Sequence, residues 1–162
     1  MSTNTTSTSP RSTLGPSEQA RVGASLQPVL VDLVDLSLLT KQAHWTVVGP
    51  GFRSLHLQLD EIVLSTREAV DQVAERLAIV GLVPDGRSST VATTTGVPQF
   101  AGDWMPIPDA VSAVADSVQA VAVRTREAIT QLDGADPVTE DLLISVLTQL
   151  EEHLWMLSAQ ER

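Results

Sequence analysis

Cysteine and tyrosine are absent from this 162-residue chain, methionine occurs three times, and lysine occurs once, at Lys41. Without thiolates there is no Fe–S cluster and no structural Cys-zinc site. So few sulfur and phenol groups also leave little that oxidises easily, which suits a protein exposed to peroxide. One lysine and a net charge of -10 speak against direct nucleic-acid binding, because phosphate neutralisation takes clustered Lys or Arg. The N-terminus has no basic segment followed by an apolar run. No stretch approaches the roughly 18 consecutive apolar residues of a membrane span. The expected location is therefore the cytoplasm, with no membrane partner.

What is present reads as one all-α domain, large enough for a single core. Leu26 to Val47 forms the first predicted helix, with Pro28 tolerated in the first turn, where amide hydrogens have no helical partner. Gly49-Pro50-Gly51 ends it. From Gly51 to Val83, Leu55, Leu59, Ile62, Val63, Val70, Val73, Leu77 and Val80 recur at three- and four-residue intervals, the core stripe of a long second helix. Residues 84–108 are rich in Thr, Gly and Pro and too long for a simple turn, with a short extra helix expected around Val97 to Trp104. This link lets the second and third helices run parallel. The third helix spans about Asp109 to Leu132. The fourth starts at Asp136-Pro137, an N-cap followed by proline at the first helical position, and runs to about Ala159. Residues 1–25, Ser/Thr-rich and poor in apolar side chains, read as a flexible arm before a four-helix bundle of 26–162.

The most informative pattern is His44-x11-His56-x3-Asp60-x10-Asp71-x3-Glu75. At about 100° per residue, with His56 at zero, Asp60, Asp71 and Glu75 fall near about 40°, 60° and 100°, a narrow sector apart from the core stripe. Leu57 and Leu64 share that sector. Along the axis, His56 and Glu75 lie roughly 28 Å apart, too far for one coordination sphere. A second copy packed antiparallel across a two-fold axis near Ser65 and Thr66 would bring His56 and Asp60 of one chain opposite Asp71 and Glu75 of the other. The geometry thus predicts a homodimer with sites between subunits. Imidazole and carboxylate ligands suit iron, manganese or zinc. No ExxH motif occurs on the predicted helices, which argues against di-iron bundles built from that pattern within one chain.

Each residue alone has a plainer reading. A histidine in the last turn of a helix often complements its carbonyl end, and His56 with Asp60 at i, i+4 is often a surface pair. Asp71 and Glu75 read alone as a solvated, mutually repelling pair. Four such residues in one sector favour a site. His153 has no spaced carboxylate partner and reads as structural, while Arg67, in the ligand sector, balances carboxylate charge.

The run Thr40-Lys41-Gln42-Ala43-His44-Trp45, then Gly49-Pro50, Phe52, Leu55-His56, Asp60, Asp71 and Ala74-Glu75-Arg76, resembles the signature of the Dps proteins, the ferritin-like "DNA-binding proteins from starved cells". The resemblance covers roughly Leu26 to the end of the chain. It implies a ferritin-like four-helix bundle with a short helix in its long middle connection, assembled as a hollow twelve-subunit shell. It also implies that His44, His56 and Asp60 of one subunit, with Asp71 and Glu75 of its two-fold partner, form a ferroxidase centre. There Fe(II) would be oxidised, preferentially by hydrogen peroxide, and stored as ferric mineral, with zinc as a possible substitute metal. Leu57 departs from a family glutamate at a position that is not a ligand. Trp45 and Trp155 match family tryptophans, with core filling as their plain role and radical interception near iron as the alternative. By similarity Asp116 is the candidate for a three-fold pore. The family's DNA binding rests on lysine-rich tails that this sequence lacks. A nucleoid-associated protein that compacts DNA with little ferroxidase activity is the alternative function, and a metal-binding or cell-surface shell without turnover is a third.

Overall fold

A computed structural model describes residues 10–161. In chain order it contains α1 (Pro16–Thr46), β1 (Val47–Val48), α2 (Phe52–Ile79), α3 (Ser88–Thr94), β2 (Met105–Pro106), α4 (Ile107–Leu132) and α5 (Pro137–Ser158). Helix α1 packs against α2 and α4, and α5 closes the bundle against α4 and, more lightly, α2. Leu26, Leu30, Leu33 and Leu36 of α1 meet Leu55, Leu59, Ile62 and Leu77 of α2, with Leu132, Leu143 and Leu157, in a fully buried core. The expected four-helix bundle with an additional short helix is the observed architecture.

The hairpin of α1 and α2 turns at Gly49 and Gly51, with φ of 123° and 86°, values that side-chain-bearing residues rarely adopt. A parallel pairing of β1 with β2, Val47 opposite Met105 and Val48 opposite Pro106, then brings the start of α4 to that same end. The second and fourth helices of the chain order, α2 and α4, therefore start together and run parallel, as the length of the connection predicts. This two-residue ladder has no periodic signature in the sequence.

Three expectations change. Helix α1 begins at Pro16, not Leu26, so residues 16–25, assigned to the arm, are helical; residues 1–9 of the arm lie outside the described residues. Pro16 suits the first turn, and Glu18 reaches back to accept the Gly15 N–H at 2.7 Å. Tertiary bonds hold the extension: Gln19 Nε2 donates to the Val80 carbonyl at 2.8 Å, and Gln27 exchanges two hydrogen bonds with the Asp85 backbone. Pro28 consequently sits deep inside the helix on its exposed side, not in the first turn. The short connecting helix lies at Ser88–Thr94, before the expected Val97–Trp104. Thr93 and Thr94 return their hydroxyls to carbonyls four residues back, and Val91 anchors the turn in the core. Residues 97–104 are irregular, pinned where Asp32 accepts the Gly96 N–H at 2.8 Å. Gly96 lacks a Cβ for a concrete reason: one would stand 2.4 Å from Arg124 Nη2, which lies over it beside its own ion pair to the buried Asp32.

Among the described residues, α1 is long and apolar enough to cross a membrane, yet two thirds of its apolar window is buried inside the bundle. It also carries Asp32 and Asp35, whose carboxylates accept hydrogen bonds from Thr95, Gly96 and Gln99. Its apolar surface is core surface.

Candidate metal centre

The last turn of α1 leaves carbonyl oxygens without helical donors, and the second turn of α2 passes beside it. His44 and His56 use that proximity reciprocally. Nδ1 of His44 lies 2.9 Å from the His56 carbonyl, and Nδ1 of His56 lies 2.9 Å from the His44 carbonyl. A carbonyl only accepts, so each Nδ1 carries the hydrogen and each Nε2 keeps its lone pair, the form in which imidazole binds a metal. The rings stack with centroids 3.6 Å apart, and Phe52 tilts against His56 at 4.8 Å. His44 is buried, and His56 is half-buried.

Asp60 lies one turn beyond His56. Its Oδ1 accepts a 2.5 Å hydrogen bond from Lys41 Nζ and lies 3.5 Å from His44 Nδ1. The Lys41 hydrogen bond is the main reason its carboxyl is held below the usual carboxylate range; partial burial opposes this, and His44 assists. Lys41, in the sequence only the lone lysine, thus contacts a candidate ligand. Its position three residues before His44, on the same side of the helix, is the signal that could have found it.

Asp71 and Glu75 stand apart from these three. Both are exposed further along α2. Among the described residues of the single chain, no three His, Cys, Asp or Glu side chains gather as a metal site. Glu75 lines a groove of about 440 Å³ between α2 and α5, with Arg76, Ile79, Val138, Asp141 and Leu142. Arg76 donates to Thr139 at 2.9 Å and to Asp136 at 2.5 Å. That cation is committed to the N-cap of α5 and leaves Glu75 free of it. Burial disfavours the Asp136 anion, but the Thr139 hydroxyl and the Arg76 guanidinium outweigh it and hold the carboxyl below its usual range. Leu57 and Leu64 are exposed on the ligand sector, 45% and 68% respectively.

Residues 23–161 match the family model described as the ferritin-like domain. Over 135 residues the chain is 34% identical to the DNA protection during starvation protein of Agrobacterium fabrum, covering 83% of each. The chain belongs to the Dps family. It superposes on the Dps of Microbacterium arborescens in its high iron form with a TM-score of 0.88 and 31% identity, covering 93% of this chain and 98% of that one. It is also 32% identical to the fine tangled pili major subunit of Haemophilus ducreyi, over 85% of this chain and 73% of that protein.

In this Dps chain the two matched tryptophans do not fill the core. Trp45 beside His44 is 62% exposed, and Trp155 is 69% exposed on α5, a helix that carries none of the site residues. Both are indoles that the bundle alone does not cover. Asp116 is exposed on α4 and lines a groove of about 490 Å³ with Pro98, Gln119, Val123, Arg124 and Glu127. His153 is engaged inside the bundle: its Nε2 lies 2.7 Å from Ser65 Oγ, its buried Nδ1 has no partner, and burial lowers its basicity.

Proposed function

We propose that this Dps chain is a ferroxidase and iron store whose catalytic centres form between subunits. His44, His56 and Asp60 of one subunit, with Asp71 and Glu75 of the two-fold partner, hold Fe(II) at each centre. The observation that carries the reading is the reciprocal backbone lock of His44 and His56. It spends both Nδ1 hydrogens on carbonyls and leaves the Nε2 atoms for a metal, with Asp60 one turn beyond His56 and two further carboxylates, Asp71 and Glu75, on the same helix sector. The chain is a homo-oligomer in this reading, a dimer as the site-forming unit and a twelve-subunit shell as the store.

Two Fe(II) ions each give one electron to hydrogen peroxide, whose O–O bond breaks. With two water molecules the products are two ferric oxyhydroxide units and four protons, so atoms and charge balance. Carboxylates at each end hold both oxidation states of iron, and the acidic surface draws in the cation by its field. Asp116 serves at a three-fold opening in this scheme. Removal of iron and peroxide together protects the cell and its DNA within the cytoplasm.

DNA compaction is the weaker reading, because the one lysine is spent on Asp60. The deciding experiment loads purified apoprotein anaerobically with Fe(II), adds a stoichiometric peroxide pulse, and follows ferric absorbance in the near ultraviolet for wild type and Asp71→Ala. Fast oxidation in wild type and slow oxidation in the variant support the shared centre. Equal, slow rates in both would sink it.

A further inference from the structure

We propose that the hydrogen bond between Ser65 and His153 is a proton-operated latch, one that fastens the C-terminal half of α5 to α2 at neutral pH and releases it in mild acid.

Helix α5 packs mainly on α4 and only lightly on α2. Among the described residues, side-chain hydrogen bonds tie it to α2 in three places. Arg76 holds Asp136 and Thr139 at the N-terminal end. His153 Nε2 meets Ser65 Oγ at 2.7 Å along the C-terminal half, and Gln160, just beyond the helix, donates to Gln58 at 2.9 Å. The three ties differ in how they respond to protons. The Asp136 carboxyl lies below its ordinary 3.8 and stays ionised in mild acid, so the Arg76 clamp holds. The glutamine pair does not titrate. Only the middle tie contains a group that changes charge near neutrality.

The surroundings of His153 favour its neutral form. Its Nδ1 is buried without a partner, and a bare lone pair there costs less than an orphaned N–H. The hydrogen therefore sits on Nε2 and is donated to Ser65 Oγ, whose own hydroxyl faces the Ile62 carbonyl at a long 3.5 Å. A proton taken up by Nδ1 creates a charged donor in a space with no acceptor. Burial is accordingly the main influence on the ring and lowers its basicity. The charged groups that act against it are two exposed carboxylates, Glu152 of α5 and Glu61 of α2. Swinging outward brings the imidazolium to water beside those carboxylates and leaves Ser65 without its partner. The second half of α5 is then held by the glutamine pair and by its buried Leu150 and Leu157. It opens locally, about a hinge between the Arg76 clamp and His153, while the bundle stays folded. None of these groups is a candidate metal ligand.

The test follows amide hydrogen exchange by mass spectrometry in the assembled protein between pH 7 and 5.5, with intrinsic rates divided out. The closed form has the lower pKa, so the latch is complete above the ordinary 6.5 and is lost as pH falls from there toward the closed-form value. In wild type, protection of residues 147–158 should fall by up to about eightfold, the linkage limit for an imidazole of ordinary basicity once released. Residues 137–145 should hold theirs. His153→Gln keeps a donor for Ser65 without the charge and should show no pH response. Ser65→Ala removes the acceptor and should expose residues 147–158 already at pH 7. A flat wild-type profile over 147–158, an equal response in 137–145, or a response that persists in His153→Gln overturns the latch. Should His153→Gln fail to fold, the regional wild-type profile and Ser65→Ala decide it, and unchanged protection in Ser65→Ala at pH 7 counts against it.

Discussion

At the residue scale, the proposed metal centre is built from backbone carbonyls as much as from side chains. His44 and His56 are oriented by each other's main chain, so an asparagine in place of either would keep a hydrogen bond and lose the Nε2 ligand. His56→Asn should therefore reduce Fe(II) binding by an order of magnitude or more while costing about 1 kcal/mol or less in stability; titration calorimetry and a denaturant melt read the two separately. His153 gives a second prediction. Burial lowers its pKa below the ordinary 6.5, so the unfolded chain binds more protons and stability falls as pH drops below about 6.5. Replacing His153 with Gln should flatten the melting temperature between pH 7 and 5.5, and an unchanged slope would show that another group titrates. The five candidate ligands stood out by type and spacing because four share one helix face. The partners of Lys41 and Arg76, 19 and 60 residues away, were not legible there.

At the scale of elements, the long helices follow their apolar periodicity and their ends follow local chemistry. The α5 N-cap was legible at Asp136-Pro137; what was not legible is that Arg76 of α2 anchors it from across the bundle. Arg76→Ala leaves the buried Asp136 carboxylate without its counter-charge, held by Thr139 alone, and should cost about 3 kcal/mol, more than loss of an ordinary surface ion pair. The pH dependence has a defined sign. Because the folded Asp136 carboxyl lies below its ordinary value of 3.8, its contribution is complete above that value and is lost as pH falls through the lower, folded one. The early start of α1 escaped because Ala20, Gly23, Ala24 and Ser25 carry little periodic signal, and its evidence is in contacts to α2 and the loop beyond. The misplaced short helix has the same origin: Thr side chains that favour turns in isolation serve as helix hydroxyls here, once Val91 is buried.

At the scale of the whole molecule, the proposed centres need a second copy, because the single chain carries His56 with Asp60 and Asp71 with Glu75 at separate positions along α2, with exposed Leu57 and Leu64 on the same sector. Leu64→Glu should leave the monomer folded, since the side chain lies outside the core, but block association and with it metal binding at the proposed shared centre. Sedimentation velocity checks the first effect and Co(II) titration the second; a Leu64→Glu protein that still assembles would place the interface elsewhere. Net charge acts at this scale too. With one lysine, and that one paired, the assembled protein should give no DNA mobility shift even at low salt.

The uncovered tryptophans make the molecule its own optical gauge. Trp45, Trp104 and Trp155 are 62%, 69% and 69% exposed, and with no tyrosine present every photon emitted on near-ultraviolet excitation comes from indole. A separate chain should emit at the long wavelengths of hydrated indole. As subunits cover these rings the spectrum should move blue, and iron arriving beside Trp45 should quench the light that remains.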